Sequence, residues 1–148
     1  MDPKTLKELV TELLAVQGML VVVDSPGAAA EMDTDEVSGP DFDGRWVTIE
    51  ARGWHVHLDV EAVDGAQFVE AEDRAHDSIP KLYYVRLSAA EGGTVIRFYF
   101  PNPWLDEDEK PAEFQPDKLR MFERMRDRYI DKEGIEFARR AADRGPGR

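Results

Sequence analysis

The stretch "RWVTIEARGWHVHLDV", residues 45–60, allows few backbone arrangements. Its apolar residues occupy odd positions before Arg52-Gly53 and even positions after it. Because side chains alternate faces along a strand, this change of parity predicts two strands joined by a two-residue hairpin turn. The predicted register pairs the apolar residues on one face: Ala51 with Trp54, Ile49 with Val56, and Val47 with Leu58.

The other face of this hairpin is polar and carries two of the three histidines of the chain. His55 is predicted opposite Glu50, and His57 opposite Thr48. Alternate residues of a strand lie about 6.5–7 Å apart on one face. Three interpretations stay open: a solvated sheet face, an axial ligand or pocket wall for haem, and a Zn or non-haem iron site with Glu50 as third ligand or orienting group.

A second hairpin is predicted in "KLYYVRLSAAEGGTVIRFYF", residues 81–100, around its Gly-rich turn. Its register places Arg86 directly opposite Arg97, although like charges in that position destabilise a sheet. We therefore expect either an acidic partner, such as Glu70 or Glu72, or a bound anion held by both guanidinium groups.

Two tyrosines lie on the same face of this second hairpin. Tyr84 is predicted opposite Tyr99, and the pair adds hydroxyl donors and flat rings beside the arginines. A flat ligand with two negative charges suits such a surface. Haem with its two propionates fits that description, and so do other aromatic acids.

The remaining segments predict helices at both ends of the chain. Asp2 and Pro3 are typical of a helix start, and Gly18 of the position after a helix end. A second helix is predicted from about Asp117, with "IEFARRAAD" as a continuation after "KEG". His76 lies in a predicted loop, "DRAHDSIP".

This order of elements predicts an α+β fold. A meandering antiparallel β-sheet is expected, with an N-terminal helix and C-terminal helices packed on it. The 148 residues predict one domain, residues 1–148, with residues 144–148 as a frayed tail.

Composition narrows the classes of function. The net charge of −12 argues against binding to nucleic acid or to anionic membranes, and the lack of cysteine excludes disulfides and thiolate chemistry. We find no long apolar run and no secretory signal pattern, which favours the cytoplasm. Because GxSxG, HExxH, GxGxxG and P-loop patterns are all missing, a carrier or sensor is favoured over an enzyme.

The order of elements from "WHVHLDVEAVDGAQFVEAE" through "YYVRLSAAEGGTVIRFYF" resembles half of a bacterial haem-utilisation protein of the HemS/ChuX/HutX type. The shared features are "HLD" leading into a short helical turn, a strand, a hairpin with a Gly-rich turn, and a helix, over roughly residues 45–130. The resemblance implies an α+β fold with a large antiparallel sheet and a homodimer. It also implies cytoplasmic haem binding or trafficking, with a histidine on iron and basic residues on the propionates.

Three functional hypotheses follow. The first is a haem-binding protein. Its iron ligand would be His55, His57 or His76, Arg86 and Arg97 would hold the propionates, and Tyr84 and Tyr99 would lie against the ring. The second is a protein that binds a transition metal ion through Glu50, His55 and His57. The third is an acidic interaction module that docks a protein partner through its acidic loops or through "PNPWLDEDE".

Overall fold

The computed structural model describes residues 1–73 and 78–141. It contains two α-helices, α1 (Pro3–Ala15) and α2 (Pro116–Tyr129), and a short 3-10 helix, Val60–Ala62. Its nine strands are β1 (Leu20–Ser25), β2 (Ala28–Asp33), β3 (Ser38–Asp43), β4 (Trp46–Ala51), β5 (Trp54–Asp59), β6 (Gly65–Glu72), β7 (Lys81–Ser88), β8 (Thr94–Tyr99) and β9 (Ile135–Arg140).

The strands form two sheets. A six-stranded sheet has the order β2-β1-β8-β7-β6-β9, and a three-stranded sheet has the order β3-β4-β5. Every neighbouring pair is antiparallel except β6 and β9, which are parallel. The predicted α+β class, with its mainly antiparallel sheet and terminal helices, is confirmed.

The C-terminal segment differs from the sequence prediction. Residues 135–140 were expected to continue the helix, and they form β9 instead. Gly134 interrupts the helical path with a φ of 83°, which glycine adopts without the penalty of a Cβ. The strand then pairs with β6 from Ala66 to Ala71, so tertiary pairing overrides a helix-favouring local sequence.

The first helix forms as predicted. The side chain of Asp2 accepts a hydrogen bond from the backbone N–H of Lys4, and Pro3 occupies the first turn. One face of α1 is fully buried through Leu6, Leu9, Val10 and Leu13. Neither α-helix in the described part of the chain is long and apolar enough to span a membrane.

The main core combines buried residues of both sheets and of both α-helices. Phe122 of α2 is 1% exposed and is surrounded by aromatic rings. Its ring centroid lies 5.2 Å from that of Tyr83, 5.3 Å from that of Phe100 and 5.8 Å from that of Phe68. A second, smaller cluster lies on the opposite face of the six-stranded sheet: Val22, Val69, Ala71, Ile79, Leu82, Tyr84, Tyr99 and Leu105.

Candidate functional site

The hairpin β4–β5 has the predicted register. All five predicted pairs are present, including Glu50 with His55 and Thr48 with His57. Val47 and Ile49 are completely buried, so the apolar face of β4 points into the core. His55 and His57 therefore lie on the outward face of the three-stranded sheet, and both are exposed.

The two imidazoles are in contact with each other. Their ring centroids are 5.2 Å apart and the planes meet at 62°, an edge-on arrangement. The Nδ1 atom of His57 is 3.0 Å from the Oγ1 atom of Thr48, within hydrogen-bond distance. The side chain of His55 makes no hydrogen bond within residues 1–73 and 78–141. The two rings therefore differ in how firmly their orientation is held.

The outward face does not gather a three-ligand metal site. Among the residues that the structure describes, no three His, Asp or Glu side chains are close enough together to hold a metal ion. Glu50 pairs with His55 across the strands, but the set Glu50, His55 and His57 does not meet that condition. The histidines remain suited to a group that brings most of its own ligands.

Trp46 lies on the same face and was not singled out from the sequence. Its side chain is 45% exposed, and the guanidinium of Arg45 lies 5.5 Å from the ring centroid. The predicted alternation already places Trp46 on the same face as Thr48. A large aromatic residue on an otherwise polar face is the sequence signal by which Trp46 could have been identified. As a diagonal neighbour of His57 across the strands, it is within the reach of aromatic side chains.

Arg45 is fixed by two carboxylates. It forms a two-pronged ion pair with Asp59 and a second pair with Glu61, at 3.1 Å between nitrogen and oxygen. The hydrogen bond from Arg45 lowers the pKa of the Asp59 carboxyl below its usual range. These ion pairs hold the guanidinium of Arg45 against Trp46, and its positive charge is already paired with Asp59 and Glu61.

The predicted arginine pair lies on the six-stranded sheet. Arg86 and Arg97 are directly opposite each other, as expected. Arg97 has an acidic partner, but this partner is Asp24 of β1, at 3.0 Å, and not Glu70. Glu70 pairs with Lys81 and Arg139 instead. The chain brings Asp24 there because β1 inserts beside β8.

Arg86 is 8% exposed, and its hydrogen-bond partners among the described residues are all neutral. Its Nε donates to Thr94 Oγ1 and its Nη1 to Gln67 Oε1, both at 2.7 Å, and its Nη2 donates to the carbonyl of Gly92. Burial lowers its pKa, as do the charges of Arg140 and Arg97. Burial also lowers the pKa of Arg97, but the hydrogen bond to Asp24 and the charge interactions with Asp24, Tyr99 and Tyr84 together leave that pKa raised.

Tyr84 and Tyr99 stand beside the arginines as predicted. Their ring centroids are 4.7 Å apart, and the guanidinium of Arg97 lies 6.0 Å from the ring of Tyr84. Both tyrosines are buried, at 4% and 7% exposure.

The structure separates the predicted site residues into two groups. The inner faces of both sheets contribute to one core, and the histidine and arginine groups point away from that core. They therefore lie on different sheets, the histidines on β5 and the arginines on β7 and β8. His76 lies outside the described residues.

An open groove with a volume of about 580 Å³ runs along α1 beside Phe42. It is lined by Lys4, Lys7, Glu8, Thr11, Glu12 and Phe42, and contains none of the predicted site residues.

The fold defines a class of protein. A crystal structure of ChuX superposes with a TM-score of 0.67 at 9% identity, covering 89% of this chain and 76% of that one. A structure from Agrobacterium tumefaciens gives 0.66 at 17% identity, covering 87% and 69%. Holo-PhuS, a heme-binding protein from Pseudomonas aeruginosa, gives 0.58 at 12% identity, covering 82% of this chain and 32% of its own. At these identities the likeness establishes a shared fold.

No curated protein matches the chain significantly in sequence. A family model, however, matches residues 7–133, and this match is consistent with the ChuX/HutX type. The chain therefore belongs to the family of that model, and the resemblance to the HemS/ChuX/HutX type seen in the sequence is confirmed.

Proposed function

We propose that this chain is a cytoplasmic haem-binding protein that carries or senses haem, and that an imidazole of the outward β4–β5 face supplies the iron ligand. The observation that carries the proposal is the exposed pair His55 and His57 on a face that has no role in the core. Support comes from the fold relatives, since ChuX and PhuS are both described as heme-binding proteins.

The residues of the outward face fit a haem better than a bare metal ion. A haem brings four nitrogen ligands of its own and needs one imidazole from the protein. The contact of His55 with the ring of His57 leaves each of them an exposed edge. Trp46 adds a flat apolar surface on the same face, and haem supplies the iron and the aromatic ring when it is bound.

Charges on this face limit how the propionates are placed. Arg86 and Arg97 belong to the other sheet and are already hydrogen-bonded within the protein, so we do not assign the propionates to them. Arg45 is committed to Asp59 and Glu61. Arg52 is exposed in the hairpin turn, and we assign a propionate to it or to solvent.

A haemin titration followed by absorbance tests the proposal. Wild type is compared with His55→Ala, His57→Ala and His76→Ala, each checked for folding by circular dichroism. We expect a saturable Soret band at one haem per chain, shifted or lost in His55→Ala or in His57→Ala. A spectrum equal to that of free haemin, binding unchanged in all three variants, or a band lost only in His76→Ala would overturn the assignment.

The role as a carrier has its own measurement. A carrier releases its ligand, so we expect the haem-loaded protein to transfer haem to apomyoglobin within minutes to hours. Retention of haem over that time in the presence of excess apomyoglobin would argue against trafficking.

A further inference from the structure

We infer that Thr48 is a positioning residue that holds the ring of His57 through Nδ1, so that Nε2 of His57 rather than His55 presents the ligand atom. This inference rests on the proposed haem function and makes it more specific. It is carried by one contact, the 3.0 Å distance between Thr48 Oγ1 and His57 Nδ1.

The position of Thr48 is set by the hairpin. It is directly opposite His57, and its backbone is held between the completely buried Val47 and Ile49. Threonine is branched at Cβ, so its χ1 is restricted and its hydroxyl has few orientations. The acceptor therefore stands at a fixed place beside an otherwise exposed ring.

The chemistry of a ligated imidazole requires such a partner. When Nε2 gives its lone pair to a metal, Nδ1 carries the ring proton and donates it to a neighbouring acceptor. Thr48 Oγ1 is able to accept this hydrogen bond. In the free protein the hydroxyl is able to donate or to accept, so it orients the ring in either tautomer.

His55 differs in this respect. Its imidazole contacts the ring of His57, at 5.2 Å between centroids and an angle of 62°, and has no side-chain hydrogen bond within the described ranges. A ring without a polar partner must lose rotational freedom when it binds iron, whereas the ring of His57 is already restrained. The same contact makes His55 a lateral support for His57.

The test compares Thr48→Val, which removes the hydroxyl at nearly constant shape, with Thr48→Ser, which keeps it. Loss of the hydrogen-bonding partner of a metal-ligating histidine weakens affinity by about 10–100-fold. Because Thr48 is a neutral acceptor near solvent, we expect haemin affinity to fall about tenfold in Thr48→Val and to stay within about threefold of wild type in Thr48→Ser. We also expect His57→Ala to lose the ligated Soret band, and His55→Ala to keep it.

A second readout needs no haem. Long-range ¹⁵N–¹H NMR spectra of the free protein report the tautomer and environment of each imidazole. Thr48→Val is expected to shift the nitrogen resonances of His57, and Thr48→Ser is expected to restore them. Unchanged His57 resonances in Thr48→Val, or equal haemin affinities of Thr48→Val and wild type, would overturn the role of Thr48.

The outcomes separate this inference from the function on which it rests. If wild type does not bind haemin at all, the proposed function fails, whatever the NMR spectra show for Thr48. If wild type binds haemin but the ligated band disappears only in His55→Ala, the haem function stands and the assignment of His57 fails.

Discussion

Phe122 anchors helix α2 to the six-stranded sheet, and its truncation tests that view of the core. The residue is 1% exposed, and the rings of Phe68, Tyr83 and Phe100 surround it. Replacing a buried phenylalanine by alanine removes its transfer free energy and leaves a cavity, at a cost of about 3–5 kcal/mol. Three aromatic neighbours place Phe122→Ala in the upper part of that range.

Urea unfolding followed by circular dichroism measures this cost. Thermal unfolding gives a second readout: for a protein of this size each kcal/mol lowers the melting temperature by about 2–4 °C, so a loss of about 4–5 kcal/mol should lower it by about 8–20 °C. Phe114→Ala is the matched control, since the same atoms are removed from a residue that is 44% exposed and contacts Trp104. We expect the control to lose less than about 1.5 kcal/mol. Similar losses in the two variants would show that Phe122 is not the anchor.

Two further predictions concern pH. The hydrogen bond with Arg45 lowers the pKa of the Asp59 carboxyl, so its contribution to stability is present above the unfolded pKa of about 4 and is lost as the pH falls through the lower folded pKa. Urea unfolding between pH 2 and pH 7 should therefore show a smaller loss of stability in acid for Asp59→Asn than for wild type. Parallel curves for the two proteins would contradict this. Burial is the main cause that raises the pKa of Tyr83 and of Tyr129 to about 12, so the free energy of unfolding should fall as the pH rises from about 10 to about 12. Absorbance at 295 nm should show late-titrating phenols in wild type, with one fewer in Tyr83→Phe and in Tyr129→Phe. A wild-type titration without a late phase would refute the prediction.

The hairpins were predictable because their signals are local. A parity change at Arg52-Gly53 is enough to fix the register of β4 and β5, and hence the side on which His55 and His57 lie. The Gly-rich turn similarly fixes Arg86 opposite Arg97. Periodicity of two and turn chemistry depend on neighbouring residues, and these are visible in a sequence.

The missed features depend on distant parts of the chain. Asp24 reaches Arg97 only because β1 inserts beside β8, and β9 forms only because β6 offers it an edge. The separation of the histidines from the arginines follows from the division of nine strands into two sheets, which no local pattern records. Pairing of this kind is decided by tertiary packing, which overrides local preference.

The placement of β1 between β2 and β8 has a consequence for how the protein is made. The three-stranded sheet draws only on residues 38–59, so the face with the histidines can close through local contacts early in synthesis. The inner edge of β1 must wait for a partner far along the chain, since Asp24 and Arg97 are 73 residues apart. Until β8 leaves the ribosome, the apolar strand β1, which begins with "LVVV", has an unpaired edge with which another nascent chain is able to pair. Because of this order of synthesis, misassembly is most to be expected at the pairing of β1 with β8 in the larger sheet, and not at the candidate site.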